Sequence, residues 1–436
     1  MKSNKFCAAV SKVLAAAAVI LILTLASAPG AGAQIKYKTL HTFNGTDGAV
    51  PAGTLIFDAA GNIYGTTFSG GNYTSGCNTG SCGTVYELTP NGDGTWTEQV
   101  LHAFTSDEDY NPDAGVVFDA AGNLYGMTNG GPHSGDVYQL VPQAGGGWSE
   151  KALYLMGGPY DGNPQGGMTF DAAGNLYGTA GWGCGYGDGV SCVFEMTPSG
   201  GSWTFNLLYG LDGSAGWYPS GTTPIFDAKG NIYATTAFGG NGGCSPYGNG
   251  CYGLGVVFEL SPNANGTWTE TLLHTFTGGK DGESPACPLV FDAAGNLYGT
   301  TYAGGKYGKG NVFRLVPNAN GTWTLQVLHQ FTGGNDGSMP LGGVIFDAAG
   351  NLYGTARTGG AYGYGVVFQL SPGPDGGVRY RVVHAFKDTR SDPGAYPGGS
   401  PNWAGGNLVF DASGNLYGTT SGDGSKTFGT VFEITR

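Results

Sequence analysis

The sequence predicts an all-β chain folded as a seven-bladed β-propeller, and three observations lead there. The phrase F-D-A-x-G-N recurs with its aspartate at Asp58, Asp119, Asp171, Asp227, Asp292, Asp347 and Asp411, at spacings of 52 to 65 residues. Each unit holds four short runs rich in β-branched and aromatic residues, bounded by Gly, Pro, Asn and Asp. The run Ile35–Phe43 duplicates the fourth run of a unit but has no first three before it, while the last unit stops in its third run, Gly429–Arg436. Units of this size rarely bury a core alone, and repeats of this period build propellers or solenoids. Four antiparallel strands per unit make a propeller blade.

The unit around Asp292 justifies each element in turn. Pro288–Phe291 reads as the first strand, Asn296–Thr301 as the second, Asn311–Val316 as the third and Thr322–His329 as the fourth. Asp292 to Asn296 is the hairpin between the first two: an Asp carboxylate accepts backbone N–H groups across the turn, and Gly295 supplies the positive φ that closes it. Leu297 and Tyr298 then alternate onto the two faces of the blade. A helical reading fails because 85 glycines and 22 prolines leave no window with a sustained 3.6-residue period. Ile35–Phe43 is expected to complete the seventh blade, which removes two open sheet edges.

Residues 1–33 read as a secretory signal: Lys2, Lys5 and Lys12 precede an apolar run from Val13 to Ala26, followed by Ala31-Gly32-Ala33. The expected mature chain, 34–436, is one secreted or periplasmic propeller domain, monomeric and without a membrane span. Losing the three lysines takes the formal charge from −13 to −16. Such a surface repels phosphate backbones, which argues against nucleic acid and anionic membrane as partners.

The repeated F-D-A-x-G-N-L-Y-G-T-T, the Gly-Gly after it, G-x-V-F-E-L and W-T-E-x-x-L-H-x-F resemble the GloVer-type tandem repeats of exported bacterial proteins, named a choice-of-anchor group because their C-terminal anchors differ. The resemblance covers residues 35–436 and implies export and a repeat fold, while saying almost nothing of activity. The chain departs from the group's name, since it is expected to end inside a strand and no sorting tail is visible in it. The D-x-x-G-N-x-Y core is also similar to blade motifs of sugar-lactone hydrolases and NHL-type binding propellers, but that likeness is turn chemistry and brings no catalytic residues.

Function is expected on the face that carries the second-to-third loops and the links between blades, because the hairpin turns on the other face are uniform. His41, His102, His274, His329 and His384 share one fourth-strand position, filled by Tyr154 and Tyr209 elsewhere, and read as blade residues. His133 alone lies in a loop. Trp96, Trp148, Trp203, Trp268 and Trp323 belong to the repeat; Trp182, Trp217 and Trp403 do not, and with Tyr186 and Tyr218 they are the candidate ligand-binding aromatics. Cys77/Cys82, Cys184/Cys192 and Cys244/Cys251 each lie within one loop and are the simplest disulfides for an oxidising compartment. Cys287 leaves 244–287 and 251–287 open, and a cysteine zinc site is the runner-up. Asp107, Asp109, Asn111 and Asp113 alternate as calcium ligands do, although Pro112 stands where a calcium loop wants Gly. The leading expectation is a non-catalytic binding or surface-interaction module whose partner is a polysaccharide or a surface protein. The alternatives are a secreted carbohydrate-active lyase or hydrolase and a structural cell-surface repeat; no catalytic residue is identifiable, and calcium is the one cofactor entertained.

Overall fold

The computed structural model describes residues 35–71, 77, 82–157, 164–181, 190–214, 216–219, 221–240, 253–374, 376–389, 392–393, 407–422 and 428–435. The expected signal segment lies outside them, and Tyr37–Thr435 form one compact unit. No helix among the described residues is long and apolar enough to cross a membrane.

Seven four-stranded antiparallel sheets form the blades of the propeller. Blade five is Val290–Phe291, Leu297–Thr301, Asn311–Pro317 and Trp323–Gln330. Six blades follow the chain in this order, while in the seventh Lys36–Thr42 pairs with Thr430–Thr435 beside Leu416–Thr420 and Val409–Phe410. The N-terminal strand therefore closes the ring, as the unmatched ends of the sequence require. Blade one in turn packs on blade seven through Phe57 and Tyr417, whose rings meet edge-on at 5.0 Å.

The recurring phrase is a turn held by its aspartate. In blade five Asp292 Oδ1 accepts the N–H of Ala294 and of Asn296, both at 2.9 Å, and Oδ2 accepts from Asn296 Nδ2 and Tyr298 Oη. Gly295 at φ +82° lets the hairpin close. Four hydrogen bonds on one carboxylate hold Asp292 below its ordinary range, even though burial alone would raise it. Tyr298 then reaches the next blade, meeting Phe346 edge-on at 5.1 Å.

The first strands of blades two to seven are shorter than the sequence suggests, with two residues rather than four in blade five, whereas that of blade one, Ala49–Phe57, is longer. Their leading residues are drawn into contacts between blades: Thr300 Oγ1 of blade five donates to Gly342 O of the chain entering blade six, and Thr235 and Cys287 make the same contact one seam earlier. At three successive seams the phenylalanine that follows the fourth strand packs on a third-strand aromatic of the next blade: Phe276 on Phe313, Phe331 on Phe368 and Phe386 on Phe432, all at 5.3 to 5.4 Å. Phe331 is wholly buried. Phe331→Ala is expected to cost about 3–5 kcal/mol, as full removal of a buried ring does. Guanidinium unfolding measures it, and a loss below about 1 kcal/mol would contradict the packing described.

Candidate functional site

The loop face is organised by a dipeptide that the sequence repeats unobtrusively. Each described link ends in a residue followed by proline, and that residue has positive φ: Val50 at 56°, Asn111 at 60°, Tyr218 at 62°, Ser284 at 53° and Met339 at 56°. Positive φ is unfavourable for a non-glycine residue, most of all for β-branched Val50, and is held where surrounding structure over-determines it. Here two hydrogen bonds do so. Met339 N–H donates to Lys309 O in the loop of blade five at 2.9 Å, and Met339 O accepts from Arg357 N in blade six at 3.2 Å. Ser284 ties Leu254 to Tyr302 in the same way. Link residues thus stitch each loop to the next blade, and Pro112 is explained as the proline of this dipeptide.

Trp217 and Tyr218 lie in such a link. Trp217 exchanges backbone hydrogen bonds with Phe238, Tyr218 N–H donates to Ser191 Oγ at 2.9 Å, and the three rings cluster at 5.8 to 6.0 Å. Both candidates are half-buried in their own aromatic cluster. Trp182, Tyr186 and Trp403 lie outside the described residues, as do Cys184, Cys244 and Cys251. Cys77–Cys82 is a disulfide, and Cys192 is disulfide-bonded. Cys287 is a free buried thiol, which settles the pairings left open for it; burial pushes it up to about 11, and its sulfur takes part in hydrogen bonds with Thr300 backbone.

Tyrosines overlooked in the sequence stand open on the same face. Tyr307, Tyr362 and Tyr364 are 46%, 52% and 38% exposed. Lys306 lies 5.0 Å from the ring centre of Tyr307, and Lys387 lies 5.1 Å from that of Tyr362. These rings occupy the loops of adjacent blades joined through Met339. The signal was loop length: residues 302–310 and 357–365 are too short to fold over their own tyrosines. Lys280, Lys306, Lys309, Arg357 and Lys387 lie in this sector among Asp281, Glu283, Asp336 and Asp388, so the cations nearly balance the acids there while the chain as a whole is acidic.

The acidic candidates are drawn into separate contacts. Asp109 Oδ1 accepts His133 N–H at 2.9 Å with Oδ2 3.3 Å from His133 Nδ1, Asn111 Nδ2 donates to Phe68 O at 2.6 Å, and Asp113 Oδ2 accepts from Asn129 at 3.0 Å. Calcium at Asp107, Asp109, Asn111 and Asp113 would have to displace these partners. Asp113 also lines the central channel with Thr54, Gln165 and Asn407, where Asn407 bridges Gly343 N–H and Thr54 Oγ1. Among the described residues, no second carboxylate lines it.

Fourth-strand histidines have partners that were not anticipated. His41 Nε2 lies 3.1 Å from Asp47, and His274 and His329 lie 3.2 Å from Asp281 and Asp336. The aspartates brace their turns as well, since Asp281 accepts both the N–H and hydroxyl of Thr277. Burial lowers His274 and His329 despite their carboxylates, so both are neutral at pH 7. His41, Asp47 and Glu98 bring possible metal-ligating atoms within 4.8 Å of one another. Asp47 already takes the Asn44 backbone and side-chain N–H groups.

Residues 245–436 match the Gloeobacter/Verrucomicrobia repeat family, which bears out the repeat resemblance. No curated protein matches the chain. Among solved structures, it is similar to a gluconolactonase from Xanthomonas campestris (14% identity, covering 92% of this chain and 90% of that one, TM-score 0.42). A protein of unknown function from Dyadobacter fermentans aligns at 10% identity over 93% and 99% of the two chains, with a TM-score of 0.38.

Proposed function

We propose that this repeat propeller is an exported, non-catalytic module that binds anionic polysaccharide on the loop face of blades five and six. The observation that carries the reading is the set of exposed rings of Tyr307, Tyr362 and Tyr364, two of them beside lysines. Aromatic faces stack on the apolar faces of sugar rings, and Lys306 and Lys387 beside the rings answer uronate or sulfate groups. Links stitched to both loops hold the platform without a ligand, which limits the ordering cost of binding. Export follows from the reading of residues 1–33, and the acidic remainder of the surface disfavours nucleic acid.

The test is titration of the exported chain against neutral, uronate-containing and sulfated polysaccharides, following intrinsic fluorescence together with released reducing or unsaturated ends. Saturable binding of acidic chains, weakened by salt and reduced about tenfold or more by Tyr362→Ala or Tyr307→Ala, is expected without product, in line with losing one stacked ring. Product release would replace this reading with a carbohydrate-active enzyme. Equal binding by both variants would move the site elsewhere, and no binding across the panel would favour a structural surface repeat.

A further inference from the structure

The opposite, turn-bearing face carries a second feature, which the repeat itself makes visible. In blades one to five the fourth strand opens with Trp96, Trp148, Trp203, Trp268 and Trp323, each paired with the last proline of the third strand. Each indole packs into the core at its seam with the preceding blade. The ring lies against the preceding blade's second-strand tyrosine: Trp148 on Tyr64 at 6.5 Å, Trp203 on Tyr125 at 5.5 Å, Trp323 on Tyr233 at 6.4 Å. In blade six the register is unchanged, but Pro372 pairs with Val378. The core at that seam contains no tryptophan, and Val378 is 40% exposed.

A cavity of about 340 Å³ stands beside Val378, lined by Tyr298, Phe346, Leu352 and Leu370. Open space over a seam is not by itself the signal, since a groove of about 510 Å³ lies between blades two and three with Trp203 in place as one wall. What distinguishes the blade five to six seam is a second change within the same cavity. Third-strand positions opposite the repeat tyrosine carry Glu87, Gln139, Glu195, Glu259, Gln369 and Glu433, but Arg314 stands opposite Tyr298. Arg314 Nε and Nη2 donate to Gln326 Oε1 and the guanidinium also donates to the Tyr298 hydroxyl, which leaves two of its five N–H groups for another acceptor. An aromatic ring has been removed and a cation introduced at one place.

We propose that this cavity binds a planar aromatic carboxylate, its ring seated where blades one to five seat an indole and its carboxylate on Arg314. The occupant is argued from the molecule: five internal copies show an indole filling the equivalent space against a tyrosine, and the exceptional arginine supplies the complementary charge. Apolar cavities left by a missing side chain take up ring compounds of matching size, and a guanidinium fork selects carboxylate over a neutral or cationic group.

The experiment is calorimetric titration of the full exported chain with indole-3-propionate, indole and tryptamine. Indole-3-propionate should bind about tenfold tighter than indole, the equivalent of one added charge-assisted contact, and tryptamine weakest. Val378→Trp should restore the repeat's own ring and abolish binding of all three. Arg314→Gln should bring indole-3-propionate to the level of indole while leaving indole itself unchanged. Tyr362→Ala, on the other face, should change none of these, so failure here is distinguishable from failure of the polysaccharide reading. Val378→Phe serves if the tryptophan variant does not fold. No saturable binding, binding unaffected by filling at residue 378, or equal affinity for the three probes would each overturn the proposal.

Discussion

A chain that begins after Phe43 is expected to lose cooperative folding. The seventh blade would lose Lys36–Thr42, baring the edge of Thr430–Thr435, and a bare edge strand recruits other chains. The wholly buried ring of Phe43 leaves the seam with blade one, where it meets Tyr86 edge-on at 5.0 Å, and that ring alone is worth about 3–5 kcal/mol. His41 goes too, taking one partner of Asp47. The repeat supplies the control. Ile35–Phe43 appended after Arg436 through the turn Asn318–Thr322 should recover a single sharp calorimetric transition, because the strand then enters its blade as it does in blade five. A truncated chain that still unfolds in one sharp transition would mean that closure is dispensable.

Glu98→Gln with Glu270→Gln should stabilise the protein at pH 8 and not at pH 4.5. Glu98 and Glu270 occupy the same fourth-strand position in blades one and four, facing His41 with Asp47 and Tyr209 with Asp212 across the seam. Burial pushes each up to about 7 from 4.5, Asp47 and Asp212 add to the rise, and His41 and the Tyr209 hydroxyl oppose it. One oxygen of each, Oε1, is buried without a hydrogen-bond partner. With the folded value above the unfolded one, the native state holds more protons between pH 4.5 and 7, so the contribution is fully present below pH 4.5 and lost as pH rises through 7. Both groups are partly solvated, which reduces the effect to about 1–2 kcal/mol each. For a domain of this size the double variant should gain about 2–4 °C in Tm at pH 8, fading as pH approaches 4.5. His274 and His329 act in the opposite sense: their lowered values mean stability is lost as pH falls below 6.5, so the difference between variant and parent is the quantity to follow. A gain equal at both pH values would point to packing rather than to the proton.

The same seam position shows how far the sequence carries. It holds Glu98, Glu150 and Glu270 at three seams, but Phe205 stacked on Tyr154 at 4.1 Å, Tyr380 on His329 at 4.0 Å and Tyr37 on His384 at 4.2 Å at three others. Repetition identified the register, yet the residue faced across the seam belongs to another unit and cannot be read from within one. The pairing of His274 with Asp281 was missed for a related reason: each residue had a sufficient local explanation, as a blade position and as a turn residue.

Blade number, strand order within a blade, closure by Ile35–Phe43, the aspartate turn and the Cys77–Cys82 disulfide were legible in the sequence alone. All are local or periodic, set by turn chemistry and by hydrophobic alternation that seven copies repeat until the pattern is unmistakable. Only the tertiary structure decided which aromatics are open, that Cys287 is a free buried thiol, that link residues take positive φ before proline, and that Val378 and Arg314 share one cavity. These depend on what the neighbouring blade presents, and exposure is a property of two surfaces meeting: Trp217 is half-buried against Phe238 while Tyr362 stands in solvent, though both are aromatic residues on the same loop-bearing face.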